Sequence, residues 1–136
     1  MKKLYNSKNS MPDDMIDGFV NAYPDIVKKG SNNRVVLRTH KKDKNKVSLL
    51  IGNGSGHEPI AMGFVGEGIL DANVVGDIFA APSSDLILEG IKETYNYAGS
   101  ILLISRHEGD VINGKAACLD ANDKGMNVKP FLMYDD

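Results

Sequence analysis

The stretch LLIGNGSGHEPIAMGF, residues 49–64, carries the reading that decides the fold. An apolar run enters three glycines in five positions, Gly52, Gly54 and Gly56, and leaves through His57, Glu58 and Pro59. Begun at Lys46, the run KVSLLIG reads as a central strand buried on both faces. Glycines at its end supply positive φ for a sharp turn and let a ligand reach backbone N–H groups with no Cβ in the way. In open α/β sheets small ligands bind beyond the carboxyl ends of the strands, and this loop lies at such an end. A cradle made of backbone is therefore expected. Spacing excludes two familiar versions of it: the glycines run GxGxG and not GxGxxG, and no Lys-Ser or Lys-Thr follows as a P-loop requires. HEPIA likewise fails the HExxH pattern of zinc proteases.

Histidine is the side chain suited to proton transfer near neutral pH, so His57, at a cradle, can hydrogen-bond and deprotonate a hydroxyl; equally, it can cap the loop by bonding to a carbonyl. Glu58 and Pro59 are expected to open a short helix, which gives Glu58 a structural role.

Working outward, SMPDDMIDGFVNAY reads as an amphipathic helix capped by Ser10, with Met15, Ile16, Phe19, Val20 and Tyr23 at helical spacing and Pro24 as its stop. NRVVLRT is a strand joined to KVSLLIG by the basic connection THKKDKNK, residues 39–46, which reads as solvated and not as a phosphate patch; His40 within it is solvated too. ANVVGDIF is a third strand. SSDLILEGIKETYNYA is a helix capped near Ser83 or Ser84, with Leu86, Ile87, Gly90, Ile91 and Thr94 on one face. SILLIS is a fourth strand, followed by the loop RHEGD, a helix over about 111–124 closed by Gly125, and a last strand NVKPFLMY in which Pro130 fits an edge or a bulge. This alternation predicts an α/β layered domain, a mostly parallel sheet flanked by helices. The sheet is expected to be incomplete at the C-terminus, because the last strand ends in Asp135 and Asp136 with no helix after it.

The chain of 136 residues is expected to be one domain, and 42% hydrophobic and 25% charged residues fit an ordinary globular protein. No apolar run approaches the roughly 18 to 20 residues that span a bilayer, and the polar start MKKLYNSKNSMPDD lacks a stretch of signal-peptide length, so a cytoplasmic location is expected. A net charge of -2 gives no pull toward nucleic acid or anionic membrane. Cys118 cannot form an internal disulfide and reads as a small buried packing residue; no cluster suggests a metal site.

A second loop of the same kind is SRHEGDVIN, after SILLI. Asp110 there is a helix N-cap or, if the two loops face one ligand, the partner of His57 in a proton-handling pair around a hydroxyl, with Gly54 contributing backbone. His107 and Arg106 would then sit at the rim.

GNGSGHEPIAMGFVGEGILDANVVGDIFAAPSSD resembles the signature region of the dihydroxyacetone kinase substrate-binding subunit, usually GGGSGHEP followed by GFVG-G-LDAAV-G-VF-SP. The opening MKKLYNSKNSMPDDMIDGFVNAYPDI, the strand ILLISRHEGDVIN and the closing YDD fit the amino-terminal part of that family in order, over essentially residues 1–136. The resemblance implies binding of dihydroxyacetone or a similar ketose for phosphoryl transfer to its terminal hydroxyl, with Gly54, Ser55, Gly56, His57 and Asp110 contacting substrate. His57 would hydrogen-bond the hydroxyls and Asp110 would act as base. It implies no cofactor or metal bound directly: the phosphoryl donor, ATP with Mg or a phosphotransferase protein, is held by a separate nucleotide-binding domain or kinase subunit. A homodimer is a further implication.

Three departures change the pocket. Ser105 stands where the family has lysine, Ala81 where it has serine, and Arg106-His107-Glu108-Gly109-Asp110 replaces Asn-Tyr-Thr/Ser-Gly-Asp. The family's later histidine, which holds the ketose carbonyl as a hemiaminal, has no counterpart here, so catalysis by this chain alone is not expected. Two alternatives follow: a ketose-sensing regulatory paralogue without kinase activity, and a truncated gene remnant.

Overall fold

The computed structural model describes residues 2–134. Asp135 and Asp136, expected to close the last strand, lie outside the described residues. The elements run α1 (Met11–Ala22), β1 (Val27–Lys29), β2 (Val35–Arg38), β3 (Ser48–Ser55), a 3-10 turn (Met62–Phe64), β4 (Ala72–Ile78), α2 (Ser84–Thr94), β5 (Ser100–Ile104), α3 (Glu108–Asp123) and β6 (Val128–Leu132). The strands form one six-stranded sheet in the order β1-β2-β4-β3-β5-β6. β4, β3, β5 and β6 run parallel; β2 pairs antiparallel with both β1 and β4. The α/β architecture expected from the sequence is thus present, with a mostly parallel sheet, and β6 is an edge strand that accommodates Pro130.

Each face of the sheet has its own core. Val35, Leu50, Val74, Leu102 and Ile104 point to the face that α2 and α3 cover with Ile87, Ile91, Ala117, Cys118 and Ala121. Gly90 and Gly114 let those helices approach closely, since a Cβ would lie 2.4 Å from Val74 and 2.8 Å from Ile104 respectively. The opposite face carries Val36, Ile51 and Val75, covered by Ile16 of α1 and by Ala61, Met62, Val65 and Leu70 of the segment between β3 and β4.

The chain after β3 therefore leaves toward this second face, whereas the chain after β5 leaves toward the first. Where adjacent parallel strands send their connections to opposite sides, the loops part and a crevice opens at the carboxyl edge. This divergence between β3 and β5 positions the candidate site.

Three local expectations are corrected and one strand is added. Ser10 is the N-cap of α1, but its backbone is helical (φ -90°, ψ -5°), which turns the hydroxyl away from the free amides to donate to Asp14 Oδ2 at 2.9 Å. Glu58 and Pro59 open no helix: a turn occupies those positions and the 3-10 turn begins only at Met62. Asp110 is not an N-cap; α3 starts earlier, capped by His107 in extended backbone, and Asp110 sits in its first turn. Strand β1 has three residues, of which Val27 alone is buried, too short for alternation to reveal. Ser83 does cap α2 as expected, accepting from Leu86 N–H.

Candidate functional site

The glycine stretch is strand for most of its length, because β3 continues through Gly52, Asn53 and Gly54 to Ser55 and breaks only at Gly56, where φ is +110°. The gap left by each missing side chain is filled by the protein itself. A Cβ at Gly52 would lie 2.9 Å from Ile87 of α2, and one at Gly54 would lie 3.0 Å from the backbone N and O of Ala80. At Gly56 it would lie 3.0 Å from the Phe79 ring. On β4, a Cβ at Gly76 would sit 2.1 Å from Ala80 O, an impossible contact. Bare backbone on two adjacent strands thus lets residues 79–82 fold down over the strand ends.

That fold-down is held in part by Phe79, whose φ of 54° is unusual for an aromatic residue. Its N–H donates to Ser55 O at 2.8 Å and Ala80 N–H donates to Asp77 O at 3.0 Å. The price of the turn is an aromatic ring left 80% exposed. Ser55 is buried, its hydroxyl donating to Gly76 O at 3.1 Å. Glu58 closes the loop, accepting the Gly56 N–H on both carboxylate oxygens at 3.0 and 3.2 Å.

Over this backbone lies a pocket of about 250 Å³ lined by Gly54, His57, Phe79, Ala80, Ala81, His107, Gly109 and Asp110. Residues from the ends of β3, β4 and β5 meet there. Gly54, His57 and Asp110 are brought together, while Ser55 and Gly56 lie outside the lining. His107 is at the pocket, but Arg106 turns away and stacks on the Tyr134 ring, 4.9 Å from its centroid. His40 is exposed on the far side of the sheet edge.

Asp110 is buried and accepts a hydrogen bond from the Ser105 hydroxyl, which orients the carboxylate. A buried carboxylate beside an imidazole is suited to accept a proton from a hydroxyl held between them. The volume lies below the ~300–1,000 Å³ of sites for drug-sized ligands and fits a molecule of a few heavy atoms.

His57 and His107 also border a second cavity of about 500 Å³ on the other side, lined by Ile51, Ile60, Phe64, Ile69, Leu103 and Met133 among others. It opens over the second face of β5, where exposed Ile60, Phe64, Ile69 and Phe131 leave an apolar surface. Ala81 lines the pocket as the sequence suggested, whereas Phe79 and Ala80 were not singled out, since only folding of the 79–82 loop brings them over Gly54.

Comparison with known proteins agrees with this fold. Over its whole length the chain is 38% identical to the dihydroxyacetone-binding subunit DhaK of the PTS-dependent dihydroxyacetone kinase 1 of Listeria innocua, covering 41% of that protein. It is 32% identical over 134 residues to the DhaKLM operon coactivator DhaQ of Lactococcus lactis, 98% of this chain and 40% of the relative. The crystal structure of the dihydroxyacetone kinase from C. freundii in complex with AMP-PNP and Mg2+ superposes with a TM-score of 0.91 at 34% identity, over 99% of this chain and 26% of that one. The chain spans about two fifths of the length of these two curated relatives. The Dak1 domain model matches residues 17–136, and the chain belongs to the Dak1 domain family.

Proposed function

We propose that this chain is the ketose-binding part of a dihydroxyacetone kinase system, holding dihydroxyacetone or a close relative for phosphorylation of a terminal hydroxyl. The observation that carries the reading is the convergence of Gly54, His57 and Asp110 on one small pocket at the parting of the β3 and β5 connections. In this reading the Gly54 backbone and the His57 imidazole hold the ketose oxygens, and Asp110, oriented by Ser105, takes the hydroxyl proton as the oxygen forms its bond to phosphorus and the donor's P–O bond breaks. Such transfer asks chiefly for positioning and charge stabilisation, which a site with few catalytic side chains can supply.

The donor, ATP with Mg2+ or a phosphotransferase protein, is held on a separate domain or subunit. The relatives' greater length supports a requirement for further polypeptide before turnover begins. Reconstitution with dihydroxyacetone, a kinase subunit and its donor tests the reading: phosphorylated product is expected, and Asp110→Ala or His57→Ala abolishes it. Activity persisting in both variants would refute the assigned roles.

A second reading has its own support in the 32% identity to a coactivator and in the altered pocket, with Ser105 and Ala81 in place of lysine and serine. A ketose sensor binds dihydroxyacetone in the same pocket and yields no product with any donor.

A further inference from the structure

Two side-chain amides are buried in the otherwise apolar second face of the sheet, and one of them, Asn53, borders the second cavity. Asn53 on β3 is 3% exposed and Asn73 on β4 is 1% exposed; around them stand Ile51, Val75 and Leu70. A buried amide is costly unless its donors and acceptors are met. Here they are met by one another and by the backbone. Asn73 Nδ2 donates to Asn53 Oδ1 at 2.7 Å and lies 3.3 Å from the carbonyls of Ile51 and Val74. Asn53 Nδ2 in turn donates to the carbonyl of Gly54 at 2.8 Å. The chain of donors runs from the core of the sheet to the backbone that lines the pocket.

The place where it ends is the place where the sheet stops holding β3. Pairing with β5 ends at Ile51↔Leu103, and pairing with β4 shifts register between Asn53 and Ser55. Gly54 lies at that gap, and as a glycine its peptide has the widest choice of orientations. Strand pairing therefore leaves the Gly54 peptide loosely determined, and the Asn53 amide is a hydrogen bond that selects one orientation. We infer that the Asn73–Asn53 pair is the positioning element of the site: it fixes the Gly54 peptide and through it the affinity for the ketose. The inference rests on the ketose-binding reading for its affinity arm and on the backbone geometry alone for its structural arm.

The test uses the full chain, with dihydroxyacetone as probe. Asn73 lines no part of the pocket, so Asn73→Ala removes the far end of the relay without touching the ligand. Dihydroxyacetone binding is expected to weaken about fivefold, the effect of one net hydrogen bond. Amide exchange at Gly54 and Ser55 should speed up in the free protein. Val75→Ala, on the same face and strand, is the control: it loosens the core but leaves affinity and Gly54 exchange unchanged. Should Asn73→Ala fail to fold, Asn53→Gly/Asn73→Ala removes both amides, so that no Asn53 side-chain oxygen is left without its donor, with the same two outcomes expected. If the wild-type chain binds no dihydroxyacetone, the ketose reading fails, and the exchange measurement alone decides the positioning role. Unchanged Gly54 exchange in the amide variants, or equal loss of affinity in Val75→Ala, overturns the inference.

Discussion

The two ends of the central strands are built from similar residues and put them to opposite uses. At the amino-terminal edge Asp71 is 5% exposed in its side chain, and its oxygens are taken by Lys42 Nζ at 2.7 Å, Arg38 Nη1 at 3.3 Å and the Leu49 N–H at 2.7 Å. Nearby the hydroxyls of Ser48 and Ser100 bond to each other across β3 and β5. The Asp71 carboxylate is thus neutralised within the fold. At the carboxyl-terminal edge Asp110 is equally buried, but its carboxylate lines a pocket together with His57, His107 and bare backbone. Burial and charge are common to both ends, so neither marks a site; what distinguishes the second is room in front of the polar atoms, about 250 Å³ beside Asp110 against about 50 Å³ beside Asp71. Lys42 also shows why the basic connection is only partly solvated: it turns back to neutralise Asp71 beside Arg38 of β2.

The comparison breaks most sharply under Asp110→Asn, which keeps the shape and removes the base. Turnover in a reconstituted system should fall by about 10²–10⁴-fold, the usual contribution of general base catalysis, with the unfolding midpoint nearly unchanged. Asp71→Ala should do the reverse. It leaves two largely buried cations without their carboxylate, so stability should drop by about 3 kcal/mol in urea unfolding while the folded fraction binds dihydroxyacetone as before. A loss of binding equal to that of Asp110→Asn would erase the distinction between the two ends.

Phe79→Gly sharpens it from another side. Left-handed backbone costs a non-glycine residue roughly 1–2 kcal/mol, and this ring is mostly solvent-exposed, so the variant should gain about 0.5–1 kcal/mol of stability while weakening ketose affinity. Stability gained together with affinity lost is the signature of strain kept for a site.

The smallest effect concerns the sealed face. Burial pushes the Cys118 thiol from 9.0 up to about 11, so the folded chain keeps a proton that the unfolded chain loses. Its contribution to stability is complete below pH 9 and is lost as pH rises toward 11. Chemical unfolding across that window should show a downward slope that Cys118→Ala reduces.

Much of this was legible in the sequence, and the parts that were not share a cause. Strand and helix alternation follows from local periodicity, and the strand-end rule for α/β sheets points to the loops carrying His57 and Asp110. What the glycines do is not local. Gly52, Gly54 and Gly56 read as an opening for a ligand, yet Ile87, Ala80 and Phe79, 23 to 35 positions away, fill the space beside them. Similarly, α3 starts at Glu108, so that Asp110 sits in its first turn and takes the Ser105 hydroxyl, a contact that local capping rules do not reveal. The apolar surface of Ile60, Phe64, Ile69 and Phe131 was hidden because sequence periodicity says which residues are apolar and not which face another element covers.

The most direct measurement is an amide NMR titration of the purified chain with dihydroxyacetone at millimolar concentration. The account predicts a dispersed spectrum in which the resonances of Gly54, His57, Gly109 and Asp110 shift together and saturate, while those of Leu49 and Asp71 at the opposite end stay fixed. A dispersed spectrum in which the first group ignores the ketose, or in which both ends shift alike, would contradict it.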